Sequence, residues 1–216
     1  MLTLTKRLEW RGFRVEVSGH EVGEILSLAG VDLIFGGGGQ DAGQIAVAKD
    51  LQRVGSELVS AARDGLPMLT VCGTYQLFGR DFITKGGERM PGIGIFRAET
   101  HGTNERLIGN VVVSSPWGEL VGFENHSGQT WLDDDQPAIG QVMKGYGNNA
   151  SSGLEGAVAE NTFGTYLHGP ILPKNPGFAD HLIVMALERK GLSGPLQPLD
   201  DAMEQRAAQT ASARPQ

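Results

Sequence analysis

The chain has 216 residues, enough for one domain with a real core, and its 40% apolar and 20% charged residues are those of a globular protein. A net charge of −7 argues against a nucleic-acid or anionic-membrane surface, and no apolar run approaches the roughly 18 residues of a membrane span. A single cysteine excludes an internal disulfide and suits a reducing compartment; Lys6, Arg7 and Glu9 stand where a signal peptide needs its apolar stretch, so a cytoplasmic location is expected.

Leu4 and Leu8, one turn apart, predict a short opening helix stopped by Gly12. "FRVEV" (13–17) alternates like a strand. "VDLIF" (31–35) is a continuous apolar run of the kind buried on both faces, and it breaks into four glycines, Gly36 to Gly39. Helical segments are expected from Asp41 and again from Ser56 to Arg63, with a stop at Gly65, before the buried strand "PMLTV" (67–71). Strand, loop, helix and strand in this order predict an α/β fold around a mostly parallel sheet covered on both sides.

Beyond Pro91 the texture becomes short strand-like runs: "GIGIF", "NVVVS", "LVGFE", "GQVMKGY", "GAVAEN" and "FGTYLHG". They read as antiparallel additions. A last helix begins at Asn175-Pro176, a cap residue with proline at the first helical position, carries Phe178, Leu182 and Met185 as its buried stripe, and ends by Gly191. The domain is expected to span 1–194, and the polar, Ala/Gln-rich stretch 195–216 reads as a disordered tail.

Cys72 ends the strand "PMLTV" and opens the turn into "GTYQLFG". In parallel sheets ligands bind beyond the carboxyl ends of strands, and a nucleophile on a sharp strand-to-helix turn faces backbone N–H groups that favour thiolate. A buried structural thiol fits the same position equally well. Among the five histidines, His20, His101 and His181 read as structural and His126 is open; His168 ends an apolar strand at a Gly-Pro turn, where a base could stand. The glycine run lacks the Gly-Lys-Ser/Thr of a nucleotide loop, so its amides suit an oxyanion instead.

Four segments in order, "FGGGGQDAGQ", "VCGTYQLFG", "GFENHSG" and "FGTYLHGPIL", resemble the cobyric-acid-synthase-like branch of class I glutamine amidotransferases, and within it the glutaminase subunits of lipid II isoglutaminyl synthases. The resemblance implies the flavodoxin-like amidotransferase fold. It makes Cys72 the nucleophile, His168 the base and Arg106 the ligand of the glutamine carboxylate. Gly73, with Gly37 or Gly38, would supply the oxyanion amides, and Gln76, Asn125 and His126 are further candidates from the matching segments. No metal or cofactor is implied for this chain. ATP and magnesium belong to a Mur-ligase-like partner that amidates the α-carboxyl of D-glutamate in the lipid II stem peptide to D-isoglutamine.

Corrinoid side-chain amidation, as in cobyric acid synthase, and an inactive binding module are the alternatives. Three departures accompany the likeness. Gly169 and Pro170 follow His168 where many relatives place a Glu, so a partner carboxylate is expected to orient the imidazole. Thr70 and Thr74 flank the nucleophile at positions usually small. The usual first strand, with its Tyr-Gly-Asp-like loop, does not precede the opening helix, so an unpaired sheet edge is expected.

Overall fold

A computed structural model describes residues 1–38, 41–168 and 170–215. In chain order the elements are α1 (Leu2–Glu9), β1 (Ile34–Gly36), α2 (Asp41–Arg63), β2 (Met68–Val71), α3 (Gly73–Phe78), β3 (Asp81–Ile83) and β4 (Arg89–Pro91). Then come β5 (Ala98–Ser115), β6 (Gly118–Leu132), β7 (Gly140–Lys144), β8 (Leu154–Glu155), β9 (Ala157–Ala159) and β10 (Thr162–Thr165). The helices α4 (Ile171–Lys174), α5 (Pro176–Arg189) and α6 (Ala202–Ala213) close the chain. No helix among the described residues is long and apolar enough to cross a membrane.

Two sheets share the core. The first has the order β1-β2-β10-β9, with β1, β2 and β10 parallel and β9 antiparallel. β2 is buried along its whole length, and its alternation divides it between two apolar clusters. Leu69 and Val71 face Leu4, Phe163, Phe178 and Leu182, which brings α1 and α5 onto one side. Met68 faces Val54, Leu58, Tyr75 and Phe78, which brings α2 and α3 onto the other. The second sheet runs β4-β3-β5-β7-β8 and is antiparallel except for the β3–β5 pair, with β6 also paired to β5.

Several expectations are corrected. Residues 13–17 form no strand; alternation reports two faces, but a strand also needs a neighbour, and none among the described residues pairs with this stretch. The run 31–35 yields only β1, half-buried rather than buried, because it stands at the sheet edge with one neighbour. The helices expected from Asp41 and Ser56 are one helix, α2. Gly55 lies inside it not as a break but as a contact, since a Cβ there would come within 2.7 Å of Ile93 Cγ2.

"GIGIF" is not a strand either: Ile93, Gly94 and Phe96 donate their amides to the carbonyls of Leu77, Gly79 and Phe78, which closes the open end of α3. "NVVVS" and "LVGFE" are parts of one long hairpin, β5–β6, whose ladder shifts register between Gly102 and Leu107. Asn175 does not cap α5 through its side chain; it exchanges hydrogen bonds with the Val121 backbone, 2.8 and 2.9 Å, and so ties α4 and α5 to β6.

The C-terminal stretch is not a disordered tail throughout. α6 packs on α4 and the long hairpin, and Lys144 donates to the Ser212 carbonyl at 3.1 Å. At the other end of the chain, the guanidinium of Arg7 is buried between Asp180 and Asp201, and Arg11 also binds Asp180. This ion network fastens α1 to α5 and to the approach to α6.

Candidate active site

β2 stops where Cys72 turns the backbone to φ 55°, ψ −114°, a conformation that costs a side-chain-bearing residue about 1–3 kcal/mol. Among the described residues only Cys72 and Glu160 take a positive φ without being glycine. The turn is held from both sides. Cys72 N–H donates to the Thr165 carbonyl at the end of β10, 2.8 Å, and the Cys72 carbonyl accepts the Gln76 amide of α3, 3.0 Å.

The glycine loop lies directly against this elbow. A Cβ on Gly38 would sit 3.1 Å from Cys72 Cβ and 3.8 Å from its Sγ, so any side chain there would crowd the thiol. Thr74 fastens the same loop: its hydroxyl donates to the Gly37 carbonyl, and a Cβ on Gly36 would come within 2.6 Å of its methyl. Gly73 is the first residue of α3, its backbone beside the thiol. Gly39, the last of the four, lies outside the described residues.

His168 reaches the same rim along the neighbouring strand. β10 runs parallel to β2 in the register Val71–Thr165, and the chain continues three residues to His168. There the His168 and Phe123 backbones bridge, with His168 N–H donating at 2.8 Å and Phe123 N–H at 3.2 Å. Cys72 and His168 therefore follow the carboxyl ends of adjacent parallel strands. Burial lowers the pKa of His168 below its ordinary value, more than the nearby Tyr166 and Phe123 backbone raises it, so the neutral ring that accepts a proton is favoured. Its Nδ1 is buried and has no hydrogen-bond partner among the described residues. Gly169 lies outside them.

Arg106 and Asn125 come together on the long hairpin. Arg106 stands in the irregular stretch of β5, exposed, and its Nε donates to Asn125 Oδ1 at 2.7 Å. Asn125 follows Phe123, the residue that bridges His168, by two positions along β6. A guanidinium here is free of any buried partner that would neutralise it among the described residues, and its planar fork suits a carboxylate.

Gln76 and His126 are inside. Gln76 accepts from Gln44 Nε2 at 2.7 Å and donates to the Tyr166 hydroxyl at 3.0 Å, and that hydroxyl pairs with Thr130 at 2.7 Å. His126 stacks flat on the Tyr166 ring, centroids 3.6 Å apart, and its Nδ1 lies 2.6 Å from the Gly128 carbonyl. Because that carbonyl only accepts, Nδ1 carries the hydrogen. Both side chains support Tyr166, two residues before His168, rather than facing open solvent.

The domain model for CobB/CobQ-like glutamine amidotransferases matches residues 1–176. The chain belongs to that family. Amidotransferase relatives include the lipid II isoglutaminyl synthase (glutamine-hydrolyzing) subunit GatD of Staphylococcus aureus, 39% identical over 210 residues, which covers 97% of this chain and 86% of that protein. The subunit of the same name from Streptococcus pneumoniae is 37% identical over 182 residues, 82% of this chain and 70% of that one. A probable cobyric acid synthase of Methanothermobacter thermautotrophicus is 35% identical over 151 residues, 63% of this chain but 29% of its own length. Among solved structures, a glutamine amidotransferase crystal structure superposes with TM-score 0.58 at 14% identity, over 86% of this chain and 93% of that one, a likeness of fold.

The chain is thus a glutamine amidotransferase with glutaminase activity. Its remaining histidines are engaged elsewhere: His20 with Asp50 at 3.0 Å, His101 with Glu99 and the Trp131 ring, His181 with the Trp117 and Phe163 rings. Among the described residues no group of three or more His, Cys, Asp or Glu side chains is arranged to hold a metal. Gln44, Thr130 and Tyr166 of the Gln76 network, the buried Glu155, and Glu124, whose carboxylate accepts the amides of Tyr146 and Gly147 at 2.7 and 2.8 Å, were not singled out by residue type. Gln44, Glu124 and Tyr166 lie inside the segments that carry the family likeness, and that placement was their one available signal.

Proposed function

We propose that this amidotransferase is the glutaminase subunit of a two-chain enzyme of peptidoglycan synthesis. It hydrolyses L-glutamine through a Cys72 thioester and delivers ammonia to a Mur-ligase-like synthetase. That partner, holding ATP and magnesium, amidates the α-carboxyl of D-glutamate in the lipid II stem peptide to D-isoglutamine. The identity to two lipid II isoglutaminyl synthase subunits, with most of each length covered, supports this reading over corrinoid amidation. The setting is the cytoplasm, with lipid II reached through the partner.

The observation that carries the chemistry is the anchoring of Cys72 on the strand that leads to His168. His168 takes the thiol proton, and the sulfur attacks the side-chain amide carbon of glutamine. The Gly73 amide and one from Gly37 or Gly38 receive the oxyanion, a contribution of about 3–4 kcal/mol per donor in comparable sites. His168 returns its proton to the nitrogen as the C–N bond breaks and ammonia leaves. Water then enters, His168 draws its proton, and the thioester opens to glutamate. Arg106 pairs with the α-carboxylate of glutamine, steadied by Asn125.

The imidazole still lacks an orienting acid in this scheme, and a carboxylate of the partner subunit supplies it. The test is glutamine hydrolysis by the chain alone and with its synthetase, together with mass-spectrometric detection of amidated lipid II. Hydrolysis faster with the partner, loss in Cys72→Ser, and amidated lipid II are expected. Equal hydrolysis with and without the partner would reject the shared acid, and amidation of a corrinoid in place of lipid II would reject the substrate.

A further inference from the structure

Glu155 ends β8 in the second sheet, yet its carboxylate belongs to the first. It is wholly buried, and one oxygen, Oε1, accepts both the Thr165 hydroxyl and the Tyr166 amide, the latter at 2.9 Å. The Thr165 hydroxyl oxygen in turn accepts the Leu167 amide at 3.0 Å. One carboxylate oxygen thereby orders the turn from Thr165 to Leu167, the residue before His168. The Thr165 carbonyl is the group that accepts the Cys72 amide.

The base of this side chain is equally fixed. The Glu155 carbonyl accepts the Ile139 amide at 2.9 Å, and Asn148 grips the next residue by donating to the Gly156 carbonyl and accepting its amide, 2.9 and 2.8 Å. Glu155 is a rigid strut between the sheets. A fold-only contact at this depth would be made at lower desolvation cost by an apolar side chain, whereas a bond to a backbone amide at a turn demands an acceptor.

We propose that Glu155 is a positioning residue for glutamine hydrolysis: through Thr165 and Tyr166 it sets the strained backbone of Cys72 and the path to His168 in one frame. This rests on the amidotransferase reading of Cys72 and His168. Burial pushes the Glu155 carboxyl up to about 7, so the acceptor oxygen works with the group protonated or ionised, and a neutral amide oxygen can replace it.

The test compares Glu155→Ala and Glu155→Gln in the full chain with its synthetase, by kcat and KM for glutamine and by the rate at which iodoacetamide labels Cys72. Glu155→Ala is expected to lower kcat by about 30-fold with KM within about twofold, the order of loss from displacing reacting groups by a fraction of an ångström. Labelling of Cys72 slows with it, while Glu155→Gln keeps both rates within about threefold of wild type because its oxygen still accepts both bonds. A folded Glu155→Ala protein with wild-type kcat and labelling, or a Glu155→Gln protein as impaired as the alanine variant, overturns the proposal. Should the alanine variant fail to fold, Thr165→Val reads the same link: a lowered kcat at unchanged KM supports it and an unchanged kcat overturns it. Wild-type protein that hydrolyses no glutamine would instead reject the amidotransferase role, and iodoacetamide labelling would still judge the strut.

Discussion

The Thr74 hydroxyl donates a hydrogen bond to the carbonyl of Gly37, and its methyl occupies the space above Gly36. A position at which the sequence shows unusual bulk is thus the clasp between α3 and the glycine loop. The threonine is an addition to the site, not a defect in it.

Thr74→Val keeps the methyl and loses the clasp. A neutral hydrogen bond contributes about 1 kcal/mol net, which corresponds to about a fivefold loss in kcat/KM for glutamine if the loop supplies an oxyanion amide. Steady-state glutaminase assays measure it; an unchanged rate would show that the loop needs no fastening.

The backbone strain at Cys72 predicts opposite effects on activity and stability. Cys72→Gly should abolish hydrolysis and raise stability by about 1–3 kcal/mol, because glycine takes φ 55° freely. Cys72→Ser should abolish hydrolysis without that gain. Denaturant melts of the two variants separate the contributions.

The lowered pKa of His168 fixes the sign of two pH effects. Activity that needs a neutral base should persist below pH 6.5, the ordinary histidine value, and fall only as pH drops through the depressed value. The unfolded chain binds the proton first, so this residue's contribution to stability is present above pH 6.5 and lost as pH falls through the folded value. A kcat/KM profile with its acid limb above pH 6.5 would contradict the assignment.

Two glycines of α2 should respond in opposite ways to alanine. A Cβ on Gly43 meets nothing within 4 Å, so Gly43→Ala should stabilise by about 0.5–1 kcal/mol through helix propensity. Gly55→Ala drives a methyl into Ile93 and should destabilise by about 1–3 kcal/mol. Thermal melts decide, and Gly55→Ala should recover part of its loss when Ile93 is cut back to Ala.

Arg7→Leu should cost about 3–5 kcal/mol, since it leaves Asp180 and Asp201 without the buried guanidinium between them. Hydrolysis per folded molecule should be unchanged, because Arg7 is bonded to Asp180 and Asp201 and to none of the candidate site residues. Urea titration and a specific-activity measurement test both halves.

The elbow was legible because an apolar run ended at a cysteine and a glycine, a break visible without partners. The position of His168 at a strand end was legible for the same reason. What stayed hidden depends on who lies opposite. "FRVEV" has a strand's alternation without a strand's neighbour, and Gly55 looks like a stop until Ile93 is set against it. The polar residues 103–106 hide the first half of β5, so that only "NVVVS" reads as a strand, since a register shift absorbs them. Gln76, His126 and Glu155 look like surface residues by type; only the packing around Tyr166 turns them inward.

The bond from Cys72 to Thr165 joins distant parts of the chain: the neighbouring contact, from Thr70 to Phe163, joins residues 93 apart. During synthesis, at about 5–20 residues per second, the thiol emerges seconds before the strand that grips its amide. Until then the nascent polypeptide carries Cys72 without the bond that holds its strained turn. Thr165 arrives with the last third of translation, so the elbow can close only after most of the domain has been made.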